Sequence, residues 1–78
     1  MDLYRVHTIT ILQKDEDKAD KILCEHYQKG DIDDHTIDCI HNKDREGNIT
    51  STYWIKPYIY EDFETIKKEF KDAGIRII

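Results

Sequence analysis

Ile49-Thr50-Ser51-Thr52-Tyr53-Trp54-Ile55-Lys56-Pro57-Tyr58 is the stretch on which the fold turns. It is rich in β-branched and aromatic residues, and Ile49, Tyr53 and Ile55 share one side of a two-residue alternation. The pattern predicts a half-buried strand. If Tyr53 faces the core, alternation turns Trp54 and Thr52 to the opposite face. Pro57 has no backbone N–H, so ladder hydrogen bonding ends near it.

Backwards from this strand, the polar group Asn42-Lys43-Asp44-Arg45-Glu46-Gly47-Asn48 reads as a hairpin loop. Thr36 to His41 before it alternates with Ile37 and Cys39 on one face, which predicts a second strand antiparallel to the first. Asp31-Ile32-Asp33-Asp34-His35 reads as a polar connector. Ahead of the connector, Ala19, Ile22, Leu23, His26 and Tyr27 recur at the spacing of one helix face. Asp15-Glu16-Asp17 supplies negative charge at that helix's start, and Gly30 is placed to accept the left-handed backbone at its end. Leu3 to Leu12 reads as the first strand, with Ile9 and Ile11 on one face and Tyr4, Val6, Thr8 and Thr10 on the other.

Forwards, Ile59, Phe63, Ile66, Phe70 and Ala73 repeat every three or four residues, the mark of a second helix. Glu61, Asp62 and Glu64 lie in its first turns, Lys67, Lys68 and Lys71 in its later ones, and Gly74 follows as a stop. Ile75-Arg76-Ile77-Ile78 reads as a short closing strand. The resulting order β-α-β-β-α-β predicts a ferredoxin-like α+β fold, an antiparallel sheet with two helices on one face. The 78 residues are enough for one domain and too few for two, so residues 1–78 are read as a single unit.

No run approaches the roughly 18 apolar residues of a membrane span, and Met1-Asp2-Leu3-Tyr4-Arg5 leads directly into a strand pattern. Cys24 and Cys39 fall on an apolar helix face and in a strand, the usual places of buried free thiols. A cytoplasmic protein is expected. The net charge is −5 and uneven: residues 1–40 hold ten acids against five bases, and residues 41–78 hold seven of each. Phosphate binding needs Lys and Arg to displace counterions, so the balance speaks against direct nucleic-acid binding and for a basic protein surface as partner.

The fold hosts many activities, so residues must decide between them. Ser51-Thr52-Tyr53-Trp54-Ile55-Lys56 has aromatics but not the Gly and Phe pattern of an RNA-recognition motif. Leu12-Gln13-Lys14-Asp15 stands where a heavy-metal chaperone of this fold has Cys-x-x-Cys. No glycine-rich phosphate loop is present, and Asp15 lies past the position at the end of the first strand where a small metal-dependent nuclease would hold its Asp.

Two Cys-x-His pairs, Cys24 with His26 and Cys39 with His41, offer zinc ligands. Cys39 and His41 share a strand face, but Cys24 and His26 on a helix point roughly 200° apart, so the two pairs do not converge. Core thiols with edge histidines are the weightier reading. Asp31, Asp33, Asp34 and Asp38 lack the glycine and the twelfth-position acid of a calcium loop. His7, His26, His35 and His41 have no nucleophile assigned to them by any motif. No enzyme activity, cofactor or resident metal is expected.

The remaining signals concern binding. Tyr53, Trp54, Tyr58 and Tyr60 crowd into eight residues; at least two should pack under the helices, leaving Trp54 as the interface anchor on the open face. Acids flank the first helix at both ends: Asp15, Glu16, Asp17 and Asp20, then Asp31, Asp33 and Asp34. The second group follows a helix C-terminus, where the dipole disfavours negative charge, and so calls for a reason beyond helix stability. Together these residues predict a non-enzymatic binding or inhibitory module whose acidic surface meets a basic, nucleic-acid-handling protein. In size and charge, though in no motif, the chain resembles small phage-encoded inhibitors of the anti-CRISPR or anti-restriction type. That resemblance implies occlusion of a host protein's nucleic-acid-binding surface and transfers no residue. The alternatives are a small-molecule or metal-binding regulatory domain that forms a homodimer through its open sheet face, and a small nuclease-like enzyme assembled across such a dimer.

Overall fold

The structure is a computed structural model that describes residues 6–37 and 42–78. The expected start of the first strand at Leu3, and Asp38, Cys39 and His41, lie outside the described residues. Among those described, the strands are β1 (His7–Leu12), β2 (Ile32–Ile37), β3 (Asn42–Lys43) and β4 (Ile49–Pro57), and the helices are α1 (Glu16–Lys29) and α2 (Tyr60–Asp72). A single 3-10 turn, Gln13–Asp15, joins β1 to α1.

The strand built from Ile49 to Pro57 is the centre of the sheet. It runs antiparallel to β1 on one side and to β2 and β3 on the other, so the order is β1-β4-β2 with β3 also on β4. Its register sets the two faces. Ile9 lies opposite Tyr53 and Tyr53 opposite Ile37, while Thr8 lies opposite Trp54 and Trp54 opposite Thr36. The Tyr53 row joins Ile11 and Ile55 beneath the helices; the Trp54 row faces away from them.

The connector expected at residues 31–35 is instead the start of β2. Its alternation is hidden because Asp33-Asp34 breaks the period of two, and the break is a bulge: Ile32 pairs with Pro57 and Asp34 with Lys56, leaving Asp33 as the extra residue. Ile32 thereby stays in the core while Asp34 is turned outward. Without the bulge, an alternating strand that buried Ile32 would also bury a carboxylate.

α1 begins and ends where its acids and Gly30 imply, with Gly30 at φ +84° capping through its N–H to the carbonyls of His26 and Tyr27. Ala19, Leu23 and His26 are buried. Cys24, expected among buried thiols, is exposed, because it follows Leu23 by the 100° step of a helix; Tyr27 is also exposed. α2 buries Phe63, Ile66 and Phe70. Ile59, expected on its apolar face, is the extended residue preceding the helix and is exposed, as is Ala73 at the other end.

One cluster joins Ile9, Ile11, Ile32, Tyr53 and Ile55 of the sheet to Ala19 and Leu23 of α1, Phe63, Ile66 and Phe70 of α2, and Ile75. Both helices therefore cover the same sheet face. The expected closing strand is reduced to one antiparallel bridge between Ile77 and Ile11, with the Ile78 N–H donating to the Thr10 carbonyl at 2.8 Å. Ile75 is drawn into the core instead of pairing. No described helix is long and apolar enough to cross a membrane.

Candidate functional site

β4 divides its aromatics by parity. Tyr53 is 1% exposed; its hydroxyl donates to Asp20 Oδ1 at 2.7 Å. Burial, reinforced by the Asp20 carboxylate, pushes the phenol far above its ordinary pKa of 10, so it stays a neutral donor. Trp54, one residue on, is 44% exposed on the face turned away from the described helices. Contrary to the expectation that a second aromatic would pack away, Tyr58 and Tyr60 are both more than half exposed, although the Tyr60 ring lies 5.2 Å from that of His7. They follow Pro57, beyond the end of the strand, where alternation no longer directs side chains inward.

Trp54 lines a shallow notch with Val6, Asp34, His35, Thr36 and Lys56. Asp34 and Trp54 reach it from adjacent strands on one face: Asp34 pairs with Lys56, and Trp54 with Thr36. Asp33, displaced by the bulge, accepts a hydrogen bond from the Tyr58 hydroxyl at 3.3 Å. The notch thus sets an exposed indole beside the exposed Asp34 carboxylate, and the neighbouring bulge carries Asp33 with the Tyr58 phenol. Lys56 is the cation within the notch.

The other acids are dispersed. Asp15 and Asp31 stand at opposite ends of α1, whose 14 residues span about 20 Å at 1.5 Å per residue. At its N-terminal end, Asp15 is buried and has almost no surface to offer a partner. Glu16 accepts from the buried Ser51 hydroxyl, and Asp20 holds Tyr53, so both carboxylates anchor the helix to β4. Asp17 is exposed at this end. At the C-terminal end Asp31 also has an internal role, because its Oδ2 lies 2.8 Å from His26 Nδ1. Of the eight residues singled out for partner binding, Asp34 and Trp54 share the notch with Asp33 next to it in the chain, while Glu16, Asp17 and Asp20 gather instead around the Tyr53 phenol.

The described histidines are each engaged by neighbouring rings or carboxylates. His7 stacks on Phe63 with ring centroids 4.6 Å apart, and His35 approaches Tyr27 edge-on at 6.1 Å. His26 is buried between Asp31 and Glu69, which occupy opposite ring nitrogens and do not converge on a point. Among the described residues, no three His, Cys, Asp or Glu side chains are grouped to hold a metal ion. The role of His26 is not apparent from the sequence, where it falls on the apolar helix face; the signal is a histidine at a core position with an acid just past Gly30. Compared with protein-family models, curated proteins and solved structures, the chain matches none.

Proposed function

We propose that this chain is a non-enzymatic protein-binding or inhibitory module whose contact surface is the Trp54 end of the open sheet face. The observation that carries the reading is Trp54 itself: a large amphipathic ring, 44% exposed on a sheet face that no described helix covers, beside Asp34. A partner's Arg or Lys fits this site, with its apolar stem over the indole and its charged head toward Asp34. The net charge of −5 favours approach to a basic surface. Such a surface is what nucleic-acid-handling proteins present to phosphates, and an inhibitor of the phage-encoded kind would act by occupying it. Affinity then falls as salt rises.

The fold we propose for this module is ferredoxin-like. In its support, the Ile11–Ile77 bridge lies on β1, antiparallel, where a fourth strand would complete that arrangement.

The test is capture of partners from a bacterial lysate by tagged wild-type protein, Trp54→Ala and Asp33→Lys/Asp34→Lys, followed by affinity measurement on the purified partner. A basic partner lost in both variants and weakened by salt supports the reading. Binding unchanged by both variants defeats it. Lys56→Ala sharpens the test, since removing the notch's own cation should tighten binding to a basic surface.

A further inference from the structure

His26 is 4% exposed, yet a carboxylate meets each of its ring nitrogens: Asp31 Oδ2 at Nδ1 and Glu69 Oε2 at Nε2. An ionised carboxylate only accepts hydrogen bonds, whereas a neutral imidazole has one N–H and one lone pair. Both contacts are hydrogen bonds only if both nitrogens donate, which requires the imidazolium. In the neutral ring one lone pair of the buried imidazole would face the oxygen of a partly exposed carboxylate. We propose that His26 is a pH-operated staple between α1 and α2, closed as the imidazolium and released when the ring loses its proton.

Three elements meet at the staple. His26 lies in the last turn of α1, Asp31 follows Gly30 at the start of the path into β2, and Glu69 lies in the last turns of α2. The backbone is tied at the same place, with the Asp31 N–H donating to the His26 carbonyl at 3.0 Å. The charged groups facing the ring are Asp31 from the α1–β2 connection and Glu69 from α2; on α1 itself the adjacent ionisable residues Glu25 and Tyr27 are exposed. Leu23, Ile66 and Phe70 continue to join the helices through the core, so release loosens the contact without dissolving it. Release also changes charge locally. The imidazolium offsets one carboxylate, and its loss leaves Asp31 and Glu69 uncompensated near the end of the molecule that holds Asp33 and Asp34.

Burial by itself lowers the pKa of His26, but the hydrogen bonds and charges of Glu69 and Asp31 outweigh it, and the pKa is raised above 6.5. A raised folded-state pKa means that the stabilisation is complete below the unfolded value of 6.5 and is lost as pH rises through the folded value.

NMR titration of the imidazole, paired with thermal unfolding from pH 6 to 9, tests the staple. For the wild type the expected result is a ring with both nitrogens protonated at pH 6 and a midpoint above 6.5. The unfolding temperature should fall across the range by up to roughly 4–8 °C, the ceiling set by losing one ion pair whose carboxylates are partly exposed in a chain of this size. Glu69→Gln should lower the titration midpoint, and His26→Gln should flatten the dependence on pH. A ring that is neutral and in one tautomer at pH 6, or equal pH dependence in wild type and His26→Gln, overturns the proposal. Should His26→Gln fail to fold, the titrations of wild type and Glu69→Gln decide the question alone.

Discussion

On the helix side of β4, Ser51, Tyr53 and Ile55 are buried beneath α1 and α2, whereas Trp54 on the reverse side is exposed and its neighbours Thr52 and Lys56 are half-buried. The same strand supplies both sets, one residue out of phase. The covered face joins the core to which both helices contribute, and even its polar atoms are engaged, Ser51 with Glu16 and Tyr53 with Asp20. The open face carries Thr8, Thr10, Thr52 and Thr36 around Trp54. Threonine suits a strand without demanding burial, so that face can keep its shape in water. The comparison separates what folds the chain from what is free to bind, and substitutions on the two faces should therefore have different consequences.

The largest effect belongs to the covered side. Phe70→Ala empties the fully buried position at which α2 meets the core and should cost about 3–5 kcal/mol. A chain of 78 residues has little stability beyond that, so circular dichroism should show partial or complete unfolding at room temperature. Trp54→Ala, though it removes a larger side chain, should change the stability measured in urea by no more than about 1 kcal/mol. Its effect should appear instead in binding, as a loss of about 2 kcal/mol, or roughly 30-fold in Kd, if the indole anchors the partner. Equal destabilisation by the two variants would break the distinction between the faces.

This division is legible in the sequence because alternation in Ile49–Pro57 fixes parity, and parity alone sends Tyr53 inward and Trp54 outward. The helices are equally plain, since Ala19 and Leu23, and Phe63, Ile66 and Phe70, sit at the spacing of a single buried stripe. The start of β2 is not legible, because its bulge at Asp33 restores the facing of Asp34 by breaking the very period by which a strand is recognised. The candidate site is only partly readable for a related reason. The acids are conspicuous in the sequence, but their partners lie far along the chain: Ser51 for Glu16, Tyr53 for Asp20, and Glu69 for His26 beside Asp31. Long-range pairing turns Glu16 and Asp20 into internal supports, and no local pattern encodes it, whereas the His26–Asp31 contact spans only five residues.

Tyr53→Phe probes one such support. It keeps the buried ring and removes the hydroxyl that donates to Asp20 at 2.7 Å and, at 3.4 Å, to the Glu16 carbonyl; the Asp20 carboxylate is exposed and can turn to water. The expected loss is therefore about 1 kcal/mol, the net worth of one hydrogen bond rather than the cost of a stranded buried charge. Chemical denaturation with Asp20→Asn alongside checks it: the double variant should lose less than the sum of the single ones.

The smallest effect is the most diagnostic for the open face. Thr10 and Thr52 share a hydroxyl–hydroxyl hydrogen bond of 3.0 Å across β1 and β4, on the same side as Trp54. Thr52→Val removes that bond while keeping the β-branched shape, and Val is at least as well suited to a strand. If water reaches this face, the Thr10 hydroxyl finds another partner and the change is a few tenths of a kcal/mol. Under that condition the unfolding midpoint is also independent of protein concentration. A loss above about 1 kcal/mol, growing as the wild-type protein is concentrated, would mean that a second copy covers the face, because only exclusion of water makes an unpaired hydroxyl so costly. Denaturation of wild type and Thr52→Val at two concentrations about a hundredfold apart thus distinguishes a face held open for a foreign partner from one closed by its own kind.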